Sequence, residues 1–437
     1  MKDMKNRKKY IEEINQQQKA LNAIRKKLVG KKLNYKEIYA IMDQISKERL
    51  GDILTTYFAA SGYSKGFTHQ EIYYLTKAMV ETGEKLKFKG IVADKHSIGG
   101  VPGTRTSLIV VPVIAAAGFL IPKSSSRAIT TPSGTADDME VLAKVQFSKE
   151  KIYEIVKKTK GCIVWGGSFS VAPADDIIIN VEKPLLFESY DKIVVSIMAK
   201  KIAFGSNHVV IDLPYGDSVK IHNFKDAKIL QEKFEYVAKK FRIKIRVIIH
   251  RTDEPAGRGI GPVLETREAI RVLQQKHNRP LDLEIRSINL AGNLLELCLK
   301  SSSKKMQKDT KKNFGNGFGW ATQILKEGLA FKKMKEIIRE QNGNPNIDSE
   351  DLVPGKFSFN ILAHKKSSII SIDSNSITTI AKMLGAPEDK GAGIYLNKKK
   401  GDKVEKGESM CVLYSENMYN LRIVKQTIKH LKIFESI

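Results

Sequence analysis

The feature that most restricts the fold of this chain lies between Gly90 and Gly118. There a strand-like run, Gly90–Asp94, leads into the glycine-rich segment KHSIGGVPGTRTS (Lys95–Ser107) and then into an apolar helix over 107–118. A strand that turns through glycines into a helix is half of a βαβ unit, and such units build parallel sheets covered by helices. A second loop of the same chemistry, SSSRAITTPSGTADDME at 124–140, stands in another strand-to-helix setting. Backbone N–H groups at a helix N-terminus can meet an anion, and Gly99, Gly100 and Gly103 allow it to come close. Ser97, Thr106 and Ser107 offer hydroxyls, and Lys95 and Arg105 add positive charge. The Walker pattern GxxxxGK[ST] is absent, so a P-loop is excluded. A plain glycine turn needs none of these polar residues, so two such loops in one domain point to anion binding.

Composition sets the frame for that domain. A chain of 437 residues has room for two or three domains, and 42% hydrophobic with 28% charged residues reads as globular. No apolar run approaches the roughly 18 residues of a membrane span, and the N-terminus lacks a secretory core. Cys162, Cys298 and Cys411 are far apart and form no CxxC pair, which argues against a disulfide framework or a zinc site. The cytoplasm is the expected location, with no membrane partner. A net charge of +26 attracts anionic substrates. Without a clustered patch or a known module it does not make a nucleic-acid binder.

Periodicity divides the chain. Residues 1–21 form a basic, Gln-rich extension, and 22–86 read as a helical lobe with apolar positions at three- and four-residue spacing. Within it Thr68 and Glu71 form a candidate capping box for a helix through Thr82. Residues 87–175 and 205–341 alternate strands with helices, and 176–204 return to the helical lobe. From 342 to 437 short alternating strands indicate an α+β unit, with paired strands over Gly391–Leu413. The resulting fold class is α/β: a small all-helical lobe, a larger α/β lobe with a mostly parallel sheet, and a C-terminal α+β domain.

The motifs together carry a resemblance. KHSIGGVPG, SSRAITTPSGTADDMEVLA, CIVWGG with APADDIII, SIMAKK, GRGIGPVLE and GAPEDKGAGIYL are similar to those of the pyrimidine nucleoside phosphorylases. The likeness is to the archaeal-type branch that holds AMP phosphorylases and bacterial thymidine phosphorylases, and it runs from about Arg25 to the C-terminal region. It implies a site in the cleft between the helical and α/β lobes. Phosphate would lie at Lys95, Ser97, Gly100, Ser107, Ser125 and Thr135. The branch's nucleotide pattern falls on Gly100, on Ser126, Arg127, Ala128, Ile129, Thr130 and Thr131, and on Thr135, Ser196 and Lys220. His96, Ser196 and Lys200 match positions that address the base. Glu188, with His96, takes the catalytic part, as donor of a proton to the leaving base. Lys183 falls where thymidine enzymes carry a base-side arginine. No metal-ligand cluster is visible, and no cofactor is expected beyond phosphate as co-substrate.

The implied reaction is attack of phosphate on C1′ with loss of the base, thymidine giving thymine and 2-deoxyribose 1-phosphate. The alternative within the branch is an AMP phosphorylase giving free base and ribose 1,5-bisphosphate. More distant readings are a phosphoribosyltransferase of the same fold, against which KHSIGG and SIMAKK argue, and an inactive basic paralogue associated with nucleic acid. The chain departs from the branch at Glu188 for aspartate, Lys183 for arginine and Asn180 for arginine, all within one segment. The branch's extra N-terminal domain has only residues 1–21 in its place, so a homodimer is expected rather than a large assembly.

Overall fold

The computed structural model describes residues 2–128, 131–168, 170–182, 189–217, 219–428 and 431–437. They divide into two units, Met1–Lys89 with Phe169–Asn207 and Lys228–Ile245, and Gly90–Ser168 with His208–Ala227 and Arg246–Ile437.

The first unit is helical, with helices Lys2–Leu28, Tyr35–Ser46, Gly51–Lys65, His69–Glu81, Pro173–Glu182 and Tyr190–Ala203. Local chemistry starts two of them. Asn34 and Thr68 accept the N–H of Glu37 and Glu71, and each glutamate accepts the cap N–H in return. Buried Glu71 also takes Lys27 Nζ at 2.9 Å and the Leu33 N–H at 3.0 Å. Burial would raise this carboxyl, but the backbone donors and Lys27 hold it below its usual range. A Cβ on Gly83, just past the helix His69–Glu81, would sit 2.2 Å from the Val171 carbonyl oxygen, so only glycine fits there.

The second unit contains the parallel sheet, built from strands Ala93–Ser97 (β1), Ile121–Ser125 (β2), Gly161–Trp165 (β3), His208–Tyr215 (β4) and Lys244–Arg251 (β5). β1 pairs with β4 in parallel, from Ala93↔His208 to Ser97↔Asp212, and β5 lies on the far side of β4. β2 pairs with β3 in parallel, and a bridge between Val92 and Leu120 joins the two ladders. The expectation of a mostly parallel sheet holds, with two differences. β1 runs three residues later than the apolar pattern suggests, because the polar Lys95 is buried within it. β2 is implied in the sequence only by the setting of the second loop: IPKSS is short and carries no alternation, and its burial comes from its neighbours.

The helix Thr106–Ala116 is buried along its length from Thr106 to Ala115, Pro112 included. A helix apolar all round belongs in a core. It packs among Leu290, Leu294 and Leu295 of helix Leu281–Leu299, Ile324 of Gly317–Lys326, and Ile337 and Ile338 of Leu329–Glu340. Each such buried aliphatic contributes about 1.5–3 kcal/mol. This core fixes the helix N-terminus beside the end of β1. The stretch after Lys300, read from sequence as a loop or helix end, forms the helix Lys304–Phe314, started by the Ser303 hydroxyl.

The C-terminal part combines strands with helices Ser374–Met383 and Met418–Thr427. Its strands are Gly259–Ile260 (β6), Phe357–Leu362 (β7), Ser367–Ile372 (β8), Gly393–Leu396 (β9), Lys403–Val404 (β10), Ser409–Ser415 (β11) and Phe434–Ser436 (β12). They form two sheets, ordered β6-β9-β11-β7 and β10-β8-β12. β6, contributed by the GRGIG segment, ties this part to the α/β region. No helix among the described residues is long and apolar enough to cross a membrane.

Candidate active site

Ligand sites in open α/β sheets gather at the carboxyl ends of the strands. Here those ends present Ser97 on β1, Ser125 on β2, Trp165 on β3 and His250, next to last on β5, while Asp212 of β4 stands level with Ser97 by register. The centre is Lys95. Its side chain is buried, and Nζ donates to Ser97 Oγ at 2.6 Å, to Thr106 Oγ1 at 2.5 Å and, at the limit of bonding, to Ser107 Oγ at 3.5 Å. Thr106 and Ser107 open the core helix, so one ammonium, three hydroxyls and a helix N-terminus meet in one place. Burial pulls Lys95 down to about 8. Asp212 opposes that fall, while Arg286 and Arg105 add to it.

Asp212 completes the cradle. Its Oδ2 accepts the Ser97 hydroxyl at 2.6 Å and its Oδ1 lies 2.7 Å from His250 Nε2. Arg286 Nη2 stands 3.6 Å from the same Oδ2 and 2.7 Å from His250 Nε2. Burial would raise this carboxyl, but Arg286, His250 and Lys95 hold it far below the usual carboxylate range.

The second loop is held by two arginines, Arg105 buried and Arg127 half-buried. Arg105 is buried between Asp138 and Glu265, ion-paired to both through Nε, and its Nη2 donates to the Ser133 carbonyl at 2.5 Å. It is a strut between the two loops. Arg127 sets both arms on Glu140, at 2.7 and 2.8 Å, reaches Asp137 at 3.1 Å and lies over the Trp165 ring. The Ala128 N–H is also engaged, by Asp137 at 2.7 Å. Lys390 adds a cation 2.9 Å from Glu140. Ser125 ends β2, Ser126 is exposed, Thr131 donates to the Ser133 carbonyl at 2.8 Å, and Thr135 opens the helix Thr135–Glu140. Ile129 and Thr130 lie outside the described residues.

Gly100 and Lys220, 120 positions apart in sequence, are neighbours. Gly100 has φ +87°, and a Cβ on it would stand 3.1 Å from the Lys220 backbone nitrogen and 3.5 Å from its Cγ. Gly103 is tighter still: a Cβ there would lie 2.0 Å from the Ala256 carbonyl oxygen, which packs the GRGIG segment onto the first loop. His96 occupies β1 between Lys95 and Ser97 and, by strand alternation, faces the other side of the sheet.

In the helical unit, Ser196 and Lys200 stand one turn apart on the helix Tyr190–Ala203. Ser196 Oγ donates to Asp175 Oδ2 at 2.7 Å, and Lys200 Nζ lies 2.7 Å from that same oxygen and 3.7 Å from Asp176 Oδ1. Burial would lower the Lys200 ammonium, but Asp175 and Asp176 raise it. Lys183 and Glu188 lie outside the described residues.

Sequence reasoning missed Asp212, His250, Arg286 and the pivotal part of Asp175. The rule that ligands sit at strand carboxyl ends points to His250, once β5 is recognised as a strand, whereas Asp212 follows only from the register of β4 beside β1. Nothing local marks Arg286, or separates Asp175 from any other helical acid.

Comparison with known proteins agrees with this architecture. A glycosyl transferase family helical bundle domain matches residues 21–83, and the glycosyl transferase family a/b domain matches residues 89–314. The C-terminal domain of pyrimidine nucleoside phosphorylase matches residues 368–433. The fold is also that of anthranilate phosphoribosyltransferase from Thermus thermophilus, whose crystal structure is similar with a TM-score of 0.60 and 16% identity, over 74% of this chain and 99% of that one. The two family matches thus make the chain a glycosyl transferase of the helical-bundle and α/β class.

Its sequence relatives narrow the class. The chain is 41% identical to an AMP phosphorylase of Thermofilum pendens over 94% of its own length and 78% of the relative's. It is 39% identical to AMP phosphorylase 1 of Archaeoglobus fulgidus, over 92% and 77%. It is 40% identical to a Legionella pneumophila protein named "Putative thymidine phosphorylase", over 91% and 74%. The chain belongs to the pyrimidine nucleoside phosphorylase family, in the branch that holds the AMP phosphorylases.

Proposed function

We propose that the protein catalyses phosphorolysis of the N-glycosidic bond of a nucleoside 5′-monophosphate, AMP first among them, releasing the base and ribose 1,5-bisphosphate. The observation that carries the reaction type is the buried Lys95 ammonium set among the Ser97, Thr106 and Ser107 hydroxyls at a helix N-terminus. A phosphate oxygen forms a bond to C1′ while the C1′–N bond breaks and its electron pair leaves with the base. The base is neutralised by a proton from a carboxyl group, the part assigned to Glu188. Holding phosphate in line converts a collision into an intramolecular step. Lys95, Ser97, Gly100, Ser107, Ser125 and Thr135 are the proposed phosphate contacts. Ser196, Lys200 and His96 are the proposed base-side groups, with Lys183 beside them.

The preference for a 5′-phosphate rests on the close approach of Gly100 to Lys220, which sets a lysine against the first anion loop. The named relatives support it, and they move the balance away from thymidine, the substrate favoured by sequence reading. Arg127 enters this reading as the residue that shapes the 126–131 loop, since its guanidinium is held by Glu140 and Asp137. The Legionella relative keeps thymidine as the second substrate. A cytoplasmic homodimer completes the proposal, and light scattering tests its size.

Chromatographic detection of free base, from AMP, CMP, thymidine, uridine and cytidine incubated with phosphate, tests the function. Adenine from AMP is expected. Thymine from thymidine with none from AMP would reverse the substrate assignment, and no base from any of the five would end the enzymatic reading.

A further inference from the structure

We propose that Asp212 is a positioning residue for phosphate, acting through the Ser97 hydroxyl to fix the Lys95 ammonium in the anion cradle. The inference rests on the phosphorolytic reading only in naming phosphate as the anion.

The parallel register sets Ser97 directly beside Asp212 on the neighbouring strand. A hydroxyl has one hydrogen to give. Ser97 gives it to Asp212 Oδ2 at 2.6 Å, which turns its lone pairs toward Lys95 Nζ, also at 2.6 Å. The carboxylate cannot swing away. Its other oxygen meets His250 Nε2 at 2.7 Å, Arg286 stands over the pair, and only 1% of Asp212 is exposed. His250 is oriented in turn by Thr252 Oγ1, 3.1 Å from its Nδ1. Buried polar networks of this kind restrict each member to one direction.

Charge leads to the same conclusion. Lys95 shares its surroundings with the cations Arg105 and Arg286, and with Asp94, which itself faces Lys123 at 3.7 Å. Arg105 is committed to Asp138 and Glu265. Asp212 is therefore the carboxylate that favours the charged form of Lys95 most strongly. Without it Ser97 is free to rotate, and the ammonium loses its proton at lower pH.

Calorimetric titration of the full chain with inorganic phosphate, from neutral to alkaline pH, tests this for wild type and Asp212→Asn. The variant is expected to bind phosphate at least ~10-fold more weakly at neutral pH, the scale of one lost charged hydrogen bond. The pH above which affinity falls should also move downward. Phosphate's own titration is common to both proteins and drops out of the comparison. Combining Asp212→Asn with Ser97→Ala should cost little more than the worse single change, because the two act in series.

Binding by Asp212→Asn within about twofold of wild type would overturn the proposal, as would a loss equal at every pH or additive with Ser97→Ala. So would a wild type that binds no phosphate. If Asp212→Asn does not fold by circular dichroism, His250→Ala replaces it. It frees the other carboxylate oxygen and should weaken phosphate about threefold, and no change would overturn the proposal equally. Weakened phosphate binding with no base released from any substrate would leave Asp212 in its role and remove the phosphorolytic reading instead.

Discussion

Lys200 Nζ lies 2.7 Å from Asp175 Oδ2, the oxygen that also accepts the Ser196 hydroxyl. One fully buried carboxylate thus aims both proposed base-side groups. Asp175→Asn keeps the shape but removes the charge that holds Lys200. The nucleotide KM should rise about 10-fold, because a hydrogen bond to a charged group contributes roughly 1.5–3 kcal/mol. The phosphate KM should stay within about twofold, since Asp175 is bonded to the base-side groups Ser196 and Lys200. Initial rates with each substrate varied in turn check this; a rise confined to phosphate would remove Asp175 from the base side.

Phosphate affinity should follow the Lys95 proton. With the ammonium titrating at about 8 in the ligand-free protein, binding weakens as pH rises through that value. Stability moves the other way. The folded value lies below the ordinary 10.5, so between about 8 and 10.5 the unfolded chain holds more protons and the ligand-free fold gains stability with rising pH. Lys95→Met should lower kcat/KM for phosphate by at least ~100-fold and remove both pH effects. Kinetics and thermal melts across that range measure them together.

Arg105 separates two buried carboxylates. Burial pushes both Asp138 and Glu265 upward, and the single guanidinium between them opposes it. Arg105→Met should destabilise the protein by about 3–5 kcal/mol, the usual result of stranding buried charge. Urea unfolding reads this directly, and a loss below about 1 kcal/mol would mean that the carboxyls are neutral without their partner.

Gly103 has φ +75°, and its α-carbon faces the Ala256 carbonyl so closely that a Cβ would lie 2.0 Å away. Gly103→Ala should cost upward of ~2 kcal/mol and raise the phosphate KM, because the GRGIG segment must retreat from the first loop. Gly30, also at positive φ but with open space around it, is the control. Gly30→Ala should cost only about 1 kcal/mol and leave the phosphate KM alone.

Much of this was legible where the physics is local. Thr68 and Glu71 announce their helix because both partners of the capping box lie within four residues. The two glycine loops announce an anion site because helix N-termini and glycine clearance are properties of short segments. β2 leaves little signal of its own because IPKSS has neither alternation nor length. Lys95 misplaced β1 because a buried lysine reads as solvent-facing unless its hydroxyl partners are known. Arg127 reads as a ligand fork in sequence, whereas Glu140, 13 residues on, holds both its arms.

The sequence by itself determined the helical lobe, the alternating α/β domain, the family and the two loops. Those depend on periodicity, capping and motif spacing, all written along the chain. Only the tertiary structure decided which charges meet. Ser97 finds Asp212 115 residues away because β1 pairs with β4 in one register, and Lys200 finds Asp175 on a separate helix, 25 positions back in the chain. Such pairs are set by the summed packing of cores, which no local pattern encodes.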